Sequence, residues 1–473
     1  MGSGLAELTV LTVSRVKPVI KVTRVTPKKP ATKKEYLFMI RIHQKPLGLL
    51  FIILFSTVPA AAETLSLAEA VQKALLHSPA ILEAQNLEKS SGEALKSSRA
   101  DFLPKASASY SFSHLEDAPY QVVGGVQRQV GDTDQVHWDL TLVQPLFRGF
   151  GLVSRYKVAR AESEIGTLRI EQTAKDLIRD VKTAYYDALL AESIEKVAED
   201  QVRSLEAQER DAQRFYDHGV IPKNDLLKSK IAKASAIQEL ERARAETKLA
   251  LSRLSLAMGD QVDREYRLVP VEKTTADPGD LAELMETAVK NRPEMKIMAK
   301  TVEAYDASVT LARSAAWPEI SLVGRYEQNG QDSLAEDNAY SNDHNTSVSI
   351  QARWTFFEWG KTRADVGKVR YDRQAFLEKT RAAEDRIRLE TRQEYLNLGV
   401  REKNIVTAEE ALEQARENFR ITRSRYLQNV TTSTEVLEAQ TFLSRAESDY
   451  YRSVYGYLTA RARLDRATGN LSE

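Results

Sequence analysis

Enzymes need nucleophiles, acid–base pairs or metal ligands held at short fixed spacings, and this chain is poor in all of them. It has no cysteine and six scattered histidines. Disulfides, thiolate metal sites and a lipid on an N-terminal cysteine are therefore excluded. No HxxxH, GxSxG or phosphate-loop pattern occurs, and His77 and His218 stand alone, as capping or surface residues do. The chain reads as a non-enzyme without a cofactor or metal. Its 67 basic and 67 acidic residues balance, but ten of the basic and two of the acidic residues fall within 1–62, leaving −8 for the rest. No basic face is left for a nucleic acid.

The chemistry must then be that of surfaces. The stretch MIRIHQKPLGLLFIILFSTVPAAAET carries Arg41 and Lys45, an apolar run from Leu47 to Phe55, and Ala60-Ala61-Ala62. These are the three parts of a secretory signal, and the apolar run is too short to span a bilayer. Translation is expected to start at Met39 and cleavage to follow Ala62, so residues 1–62 are read as extension and leader.

The remainder is written twice. HSPAILEAQ around Pro79 returns as NRPEMKIMA around Pro293, and ADFLPKASASYSF around Pro104 as SAAWPEISLVGRY around Pro318, both at an offset of 214. Later motifs at Tyr185 and Gly259 return at Tyr395 and Gly469, offset by 210. The boundaries are a first repeat over 63–259, a linker over 260–280 and a second repeat over 281–473.

Each repeat opens with a helix of about 35 residues (Leu67–Ala100; Leu281–Ala315), ended by a proline that pushes its predecessor toward extended backbone. Two alternating strands follow. Lys105–His114 sets Ala106, Ala108, Tyr110 and Phe112 against serines on the other face, and Val136–Leu142 alternates likewise; the second repeat has Ile320–Tyr326 and Val348–Phe356. Next come proline-free stretches, Leu152–Asp217 and Lys361–Gln428, each about 65 residues and roughly 100 Å long as a helix. Sharp reversals at YDHGVIPKNDLL and YLQNVTTSTEVL lead into returning helices of about 37 residues. Gly219 and Asn429 suit the left-handed backbone of a helix end; Asn224 and Asp225, or Thr432 and Ser433, suit the next N-cap. Ile405, Ala408, Leu412, Ala415, Phe419, Thr422 and Tyr426 step by three and four, the period of a left-handed coiled coil. Lys233 interrupts the matching stripe of the first repeat.

Two short helices end to end match one long helix, which places the linker halfway along as a belt. Four amphipathic strands cannot close a barrel, and an open edge cannot sit in lipid. Several copies must share one, with hydroxyl-rich faces toward a wet bore and Tyr110, Trp138, Tyr326 and Trp354 supplying membrane-interface aromatics.

The motifs LSLAEAVQKALLHSPAI, FLPKASASYSF and QPLFRGFG and the two reversals resemble the TolC-type outer-membrane efflux protein family over residues 64–471. The resemblance implies a homotrimer with a twelve-stranded barrel in outer-membrane lipid, continuous with a periplasmic helical coiled-coil barrel. The fold class is thus mainly α with membrane β. It implies a passive exit duct for efflux or type I secretion, docked through a periplasmic adaptor to an inner-membrane RND, ABC or MFS transporter. It also implies an entrance link between Asp225 and Tyr426, an acidic ring of Glu435 and Glu438, and Thr431 where the family often has a basic closing residue. Gly219, Val220, Ile221, Asn429 and Val430 are the tip residues expected to meet the adaptor. A periplasmic coiled-coil scaffold without a pore is the alternative; it explains the helices but not four lipid-suited strands.

Overall fold

The computed structural model describes residues 63–264, 266–272 and 277–470; the leader, with Met39 and the Ala62 cleavage point, lies outside them. In chain order the elements are β1 (Glu63–Leu65), α1 (Leu67–His77), α2 (Pro79–Ala100), β2 (Lys105–His114), β3 (Tyr120–Val123), β4 (Val126–Gln129), β5 (Asp134–Arg148) and α3 (Gly151–Asp217). They continue as α4 (Lys223–Met258), β6 (Tyr266–Leu268), α5 (Leu281–Asn291), α6 (Pro293–Ser314), β7 (Glu319–Gly330), β8 (His344–Arg353), α7 (Lys361–Leu427) and α8 (Ser433–Ala467). Helices α3 and α7 hold 67 residues each, about 100 Å of rod. Among the described residues, no helix is long and apolar enough to cross a membrane.

The first helix of each repeat is two helices, not one. Ser78 and Arg292 are extended, with ψ of 131° at both, because Pro79 and Pro293 exclude helical backbone just before them and then start a new helix at its first position. These breaks are docking points. Gly259 and Gly469, both at φ +74°, end α4 and α8 against them: a β-carbon on Gly259 would fall 2.6 Å from the His77 carbonyl oxygen, and one on Gly469 3.3 Å from Arg292 N. The first break is preceded by a capping box, in which Ser66 and Glu69 satisfy each other's backbone N–H groups.

Four of the strands form one antiparallel sheet in the order β2-β5-β7-β8. Register keeps like with like. Tyr110 faces Trp138, Ala108 faces Leu140 and Leu140 faces Tyr326 on one side; Ser109 faces Asp139 and Asp139 faces Glu327 on the other. Strands β5 and β7 run longer than their alternating cores suggest, and a bulge between Pro145 and Phe147 absorbs the proline. Strand β8 stops at Arg353, so Trp354 and Phe356 lie beyond the ladder. The polar loop after β2 contains a hairpin, β3–β4, turned by Gly124 and Gly125 at positive φ. At each strand-to-helix junction two consecutive residues are left-handed: Gly149 and Phe150 (φ 55° and 68°), then Trp359 and Gly360 (54° and 82°). A left-handed residue with a β-carbon costs roughly 1–2 kcal/mol.

The main core sits where the belt crosses the helices. Val181, Tyr185 and Ala188 of α3 pack with Leu254 and Met258 of α4, Ala70, Val71 and Ala74 of α1, and Tyr457 and Leu464 of α8, all buried. β6 pairs in parallel with β1, and the Tyr185 hydroxyl, near the midpoint of α3, lies 2.8 Å from the carbonyls of Leu65 and Val269 and accepts from Val269 N at 3.0 Å. Burial pushes its phenol up to about 12. Lys73 and Tyr266 close on Asp260 beside it. Below the belt the coiled-coil stripe holds: Ile405, Leu412 and Tyr426 are buried. Lys233, where the stripe of the first repeat breaks, reaches Glu209 at 2.9 Å.

Candidate functional site

The two helical reversals have the same backbone. Val220 N donates to Phe215 O at 2.8 Å and Val430 N to Arg425 O at 2.9 Å, six-to-one bonds that close helix ends when the residue before is left-handed. That residue is Gly219 at φ 70° in one tip and Asn429 at φ 59° in the other. Gly219, Val220, Asn429 and Val430 are exposed and Ile221 is half-buried. The next helix is capped by Thr432 at the second tip, whose Oγ1 accepts from Glu435 N. At the first tip, Pro222 holds the cap position without a side-chain bond. Asn224 and Asp225 sit inside the first turn instead, because the proline already fits the non-helical cap backbone (ψ 155°).

Between the tips lies a polar seam. Ser229 Oγ and Ser433 Oγ are 3.1 Å apart and buried, Lys228 Nζ donates to Thr434 Oγ1 at 3.0 Å, and Ser204 Oγ donates to Gln440 Oε1 at 2.5 Å. Tyr426 is 2% exposed, its ring edge-on to Phe215 at 5.4 Å. Its hydroxyl lies beside Ser433 and Gln208, and among the described residues neither it nor Gln208 Nε2 makes a well-aligned hydrogen bond. Burial pushes the Tyr426 phenol above its usual range, and Ser433 beside it opposes this only in part. The group is therefore a neutral donor. Asp225 lies near enough to be felt at Tyr426, but within the chain its carboxylate faces Lys228 at 3.5 Å. Gln208 and Asp211 were not singled out from sequence. The signal was there: Gln208 lies on the Leu205–Gln208–Ala212 stripe and Asp211 lies one turn further on beside Ala212, all of them buried. Glu435 and Glu438 are exposed one turn apart on α8, with the Thr431 hydroxyl donating to Glu435. Thr431 thus serves its own helix start.

At the other end, the hydroxyl-rich sheet face is wired laterally. Ser109 donates to Asp139, Thr141 Oγ1 donates to the same carboxylate at 2.6 Å, and Arg325 Nε donates to Thr141 at 3.3 Å. Asn345 reaches Glu327 at 3.2 Å. The opposite face is apolar and bare, with Val348 74% and Ile350 70% exposed. The four aromatics expected at membrane interfaces separate into two levels. Tyr110, Trp138 and Tyr326 cluster at one end, where Tyr110 and Trp138 donate to the Ser333 and Leu334 carbonyls. Trp354 sits at the helical end, donating to Ala316 O at 3.1 Å.

A sheet with one wet and one greasy face, joined to 100 Å helical hairpins and duplicated within one chain, points to a single kind of protein. The family model described as outer membrane efflux protein matches residues 70–260 and again 284–470. The chain belongs to the outer membrane efflux protein family. It is similar to the alkaline protease secretion protein AprF of Pseudomonas aeruginosa, 25% identical over 390 residues, covering 79% of this chain and 78% of AprF. It is also similar to the outer membrane efflux protein BepC of Brucella suis, 22% identical over 360 residues, covering 73% and 77%. Its fold matches the CmeC outer membrane channel of Campylobacter jejuni with a TM-score of 0.75 at 15% identity, covering 85% of both chains. The family's members are outer-membrane channels; the β2-β5-β7-β8 sheet is the membrane part and the helices the periplasmic part.

Proposed function

We propose that three copies of this chain close one twelve-stranded barrel and one helical tunnel, forming the passive exit duct of a tripartite efflux or type I secretion system. The observation that supports this is the sheet order: β2 and β8 are edge strands of ten residues each, paired on one side only, with the outer edge unpaired among the described residues. Unpaired edges are untenable in lipid. Four strands from each of three chains complete a closed barrel around the hydroxyl-rich face. Apolar residues left uncovered on α7, among them Tyr371, Leu389, Leu396 and Val400, supply the matching helical interface.

Nothing in the chain supplies energy, so transport is driven by an inner-membrane transporter of the RND, ABC or MFS class. The tips at Gly219–Ile221 and Asn429–Val430 meet a periplasmic adaptor, which opens them. Asp225 and Tyr426 hold the entrance shut through contacts completed between hairpins, and the buried Tyr426 hydroxyl, close enough to feel the Asp225 charge, is the donor for that link. Reconstituted protein in planar bilayers gives a small conductance that Asp225→Ala with Tyr426→Phe enlarges. Unchanged conductance removes these two residues from the lock, and no conductance from folded protein removes the duct.

A further inference from the structure

At the level of the belt, but on the side turned away from it, the helices hold guanidiniums that nothing in the chain satisfies. Helix α8 packs against both α3 and α7, and a groove of about 310 Å³ spans the three. Gly456 and Thr459 line it from α8, Asp187 from α3, and Glu394 and Arg401 from α7. Asp187 follows Tyr185 by two residues and Thr459 follows Tyr457 by two, so at ~100° per residue each lies about 200° round its helix from a ring buried in the belt core. The groove therefore opens on the face opposite the belt. Three belts turned inward would fill a bore, so in the duct proposed above the belts lie outside and the three grooves face the lumen.

Three guanidiniums line the groove, Arg401, Arg452 and Arg463, against two carboxylates. Arg452 donates to Asp449 at 3.1 Å. Arg401 and Arg463 are exposed and make no hydrogen bond or ion pair among the described residues; the charge of Arg463 is felt at Asp187 without a bond between them. Arg401 lies along α8 at a glycine, where a β-carbon on Gly456 would meet its Nη1 at 3.4 Å. Glu394 keeps Oε2 buried and without a well-aligned hydrogen bond, out of reach of anything in the groove. What the groove offers is thus planar, cationic donors, the chemistry that grips carboxylates. An apolar drug is poorly matched to walls so charged. A metal cation is repelled, and no group of three metal-binding side chains occurs among the described residues. A small anion meets one groove at a time, whereas a flexible chain bearing carboxylates engages several at once. Resting on the duct reading, we propose that Arg401 and Arg463 form a cationic shelf midway along the tunnel, repeated in three copies, that engages an acidic polypeptide passing through in extended form.

The absence of cysteine makes Thr459→Cys a unique reporter of the groove. The full chain is recorded in planar bilayers, with additions made on the barrel side so that the entrance lock is not crossed. A membrane-impermeant anionic thiol reagent modifies Thr459→Cys and lowers its conductance. A synthetic peptide of alternating glutamate and glycine interrupts the current of the parent channel. Arg401→Gln with Arg463→Gln, both exposed and so compatible with folding, shortens these interruptions about tenfold through the loss of charge-assisted bonds, while Arg401→Lys with Arg463→Lys keeps most of their length. Interruptions of equal length in the glutamine variant, equal interruptions from a lysine–glycine peptide, or the same effect from inorganic phosphate at matched charge overturn the shelf. A Thr459→Cys thiol that stays unmodified in a conducting channel places the groove outside the bore and also overturns the shelf, with the duct left standing. Folded protein that never conducts sinks the duct itself.

Discussion

Arg466→Met tests whether the equator is clasped by charge. Arg466 is 3% exposed; from α8 it donates to Asp176 of α3 at 2.9 Å and to Glu294 of α6 at 2.6 Å. Arg292, at the α5–α6 break, also holds Glu294 at 3.0 Å and reaches Glu390 at 2.7 Å. Burial pushes the Glu294 carboxyl up, but hydrogen bonds from Arg292 and then Arg466 more than offset it and hold it at about 2, against an ordinary 4.5. That difference corresponds to ~3.4 kcal/mol at 1.36 kcal/mol per pH unit. Methionine keeps the length and loses the charge. Arg292 still engages Glu294, so the loss is about 2–3 kcal/mol, below the ~3–5 kcal/mol of a buried pair broken outright. For ~410 residues at ~2.1 cal/mol/K each, this lowers the melting temperature by about 3 °C. The folded pKa lies below the unfolded one, so the contribution is complete above pH 4.5 and fades as pH falls toward 2, with more than half gone by about pH 3. Far-ultraviolet circular dichroism melts of detergent-solubilised protein at pH 7 and pH 3 read this directly. A variant melting within about 1 °C of the parent at pH 7, or an equal gap at both pH values, refutes the clasp.

Two other perturbations have definite outcomes. Tyr185→Phe removes the hydroxyl that ties β1 and the belt to the middle of α3, costing about 1–3 kcal/mol; hydrogen exchange at Leu65 and Val269 accelerates while that of Leu398 and Ile405 does not, and unchanged exchange at the belt contradicts its role. Glu435→Gln with Glu438→Gln removes six exposed carboxylates from a three-copy entrance and weakens block by divalent cations in planar bilayers; undiminished block assigns both residues to helix capping and solvation alone.

Much of the architecture was legible because its signals are local and doubled. The lack of proline sets the length of α3 and α7, and the serine alternation from Ser107 to Ser113 identifies β2. Gly219 and Asn429 mark the reversals. The breaks at Ser78 and Arg292 were missed although Pro79 and Pro293 were in plain view, because proline is welcome at a helix's first position and the apolar pattern runs on through it. The β1–β6 ladder has three residue pairs joined across 203 positions, too short and too remote to leave a period. At the entrance, sequence supplied Asp225 and Tyr426 but not their surroundings. The Ser229–Ser433 contact and the buried Gln208 arise from packing between hairpins, which no single stretch encodes.

The central claim is that the free edges of the sheet meet those of other copies. Cysteines replacing Ser107 or Ser111 on β2, combined with replacements of Ser347 or Ser349 on β8, place thiols on the same wet face at opposite edges of one sheet. Oxidised in outer-membrane vesicles, some pairing must yield a covalent ladder that ends at three chains. A chain that stays single in every pairing, or a ladder that closes at another number, contradicts the shared barrel.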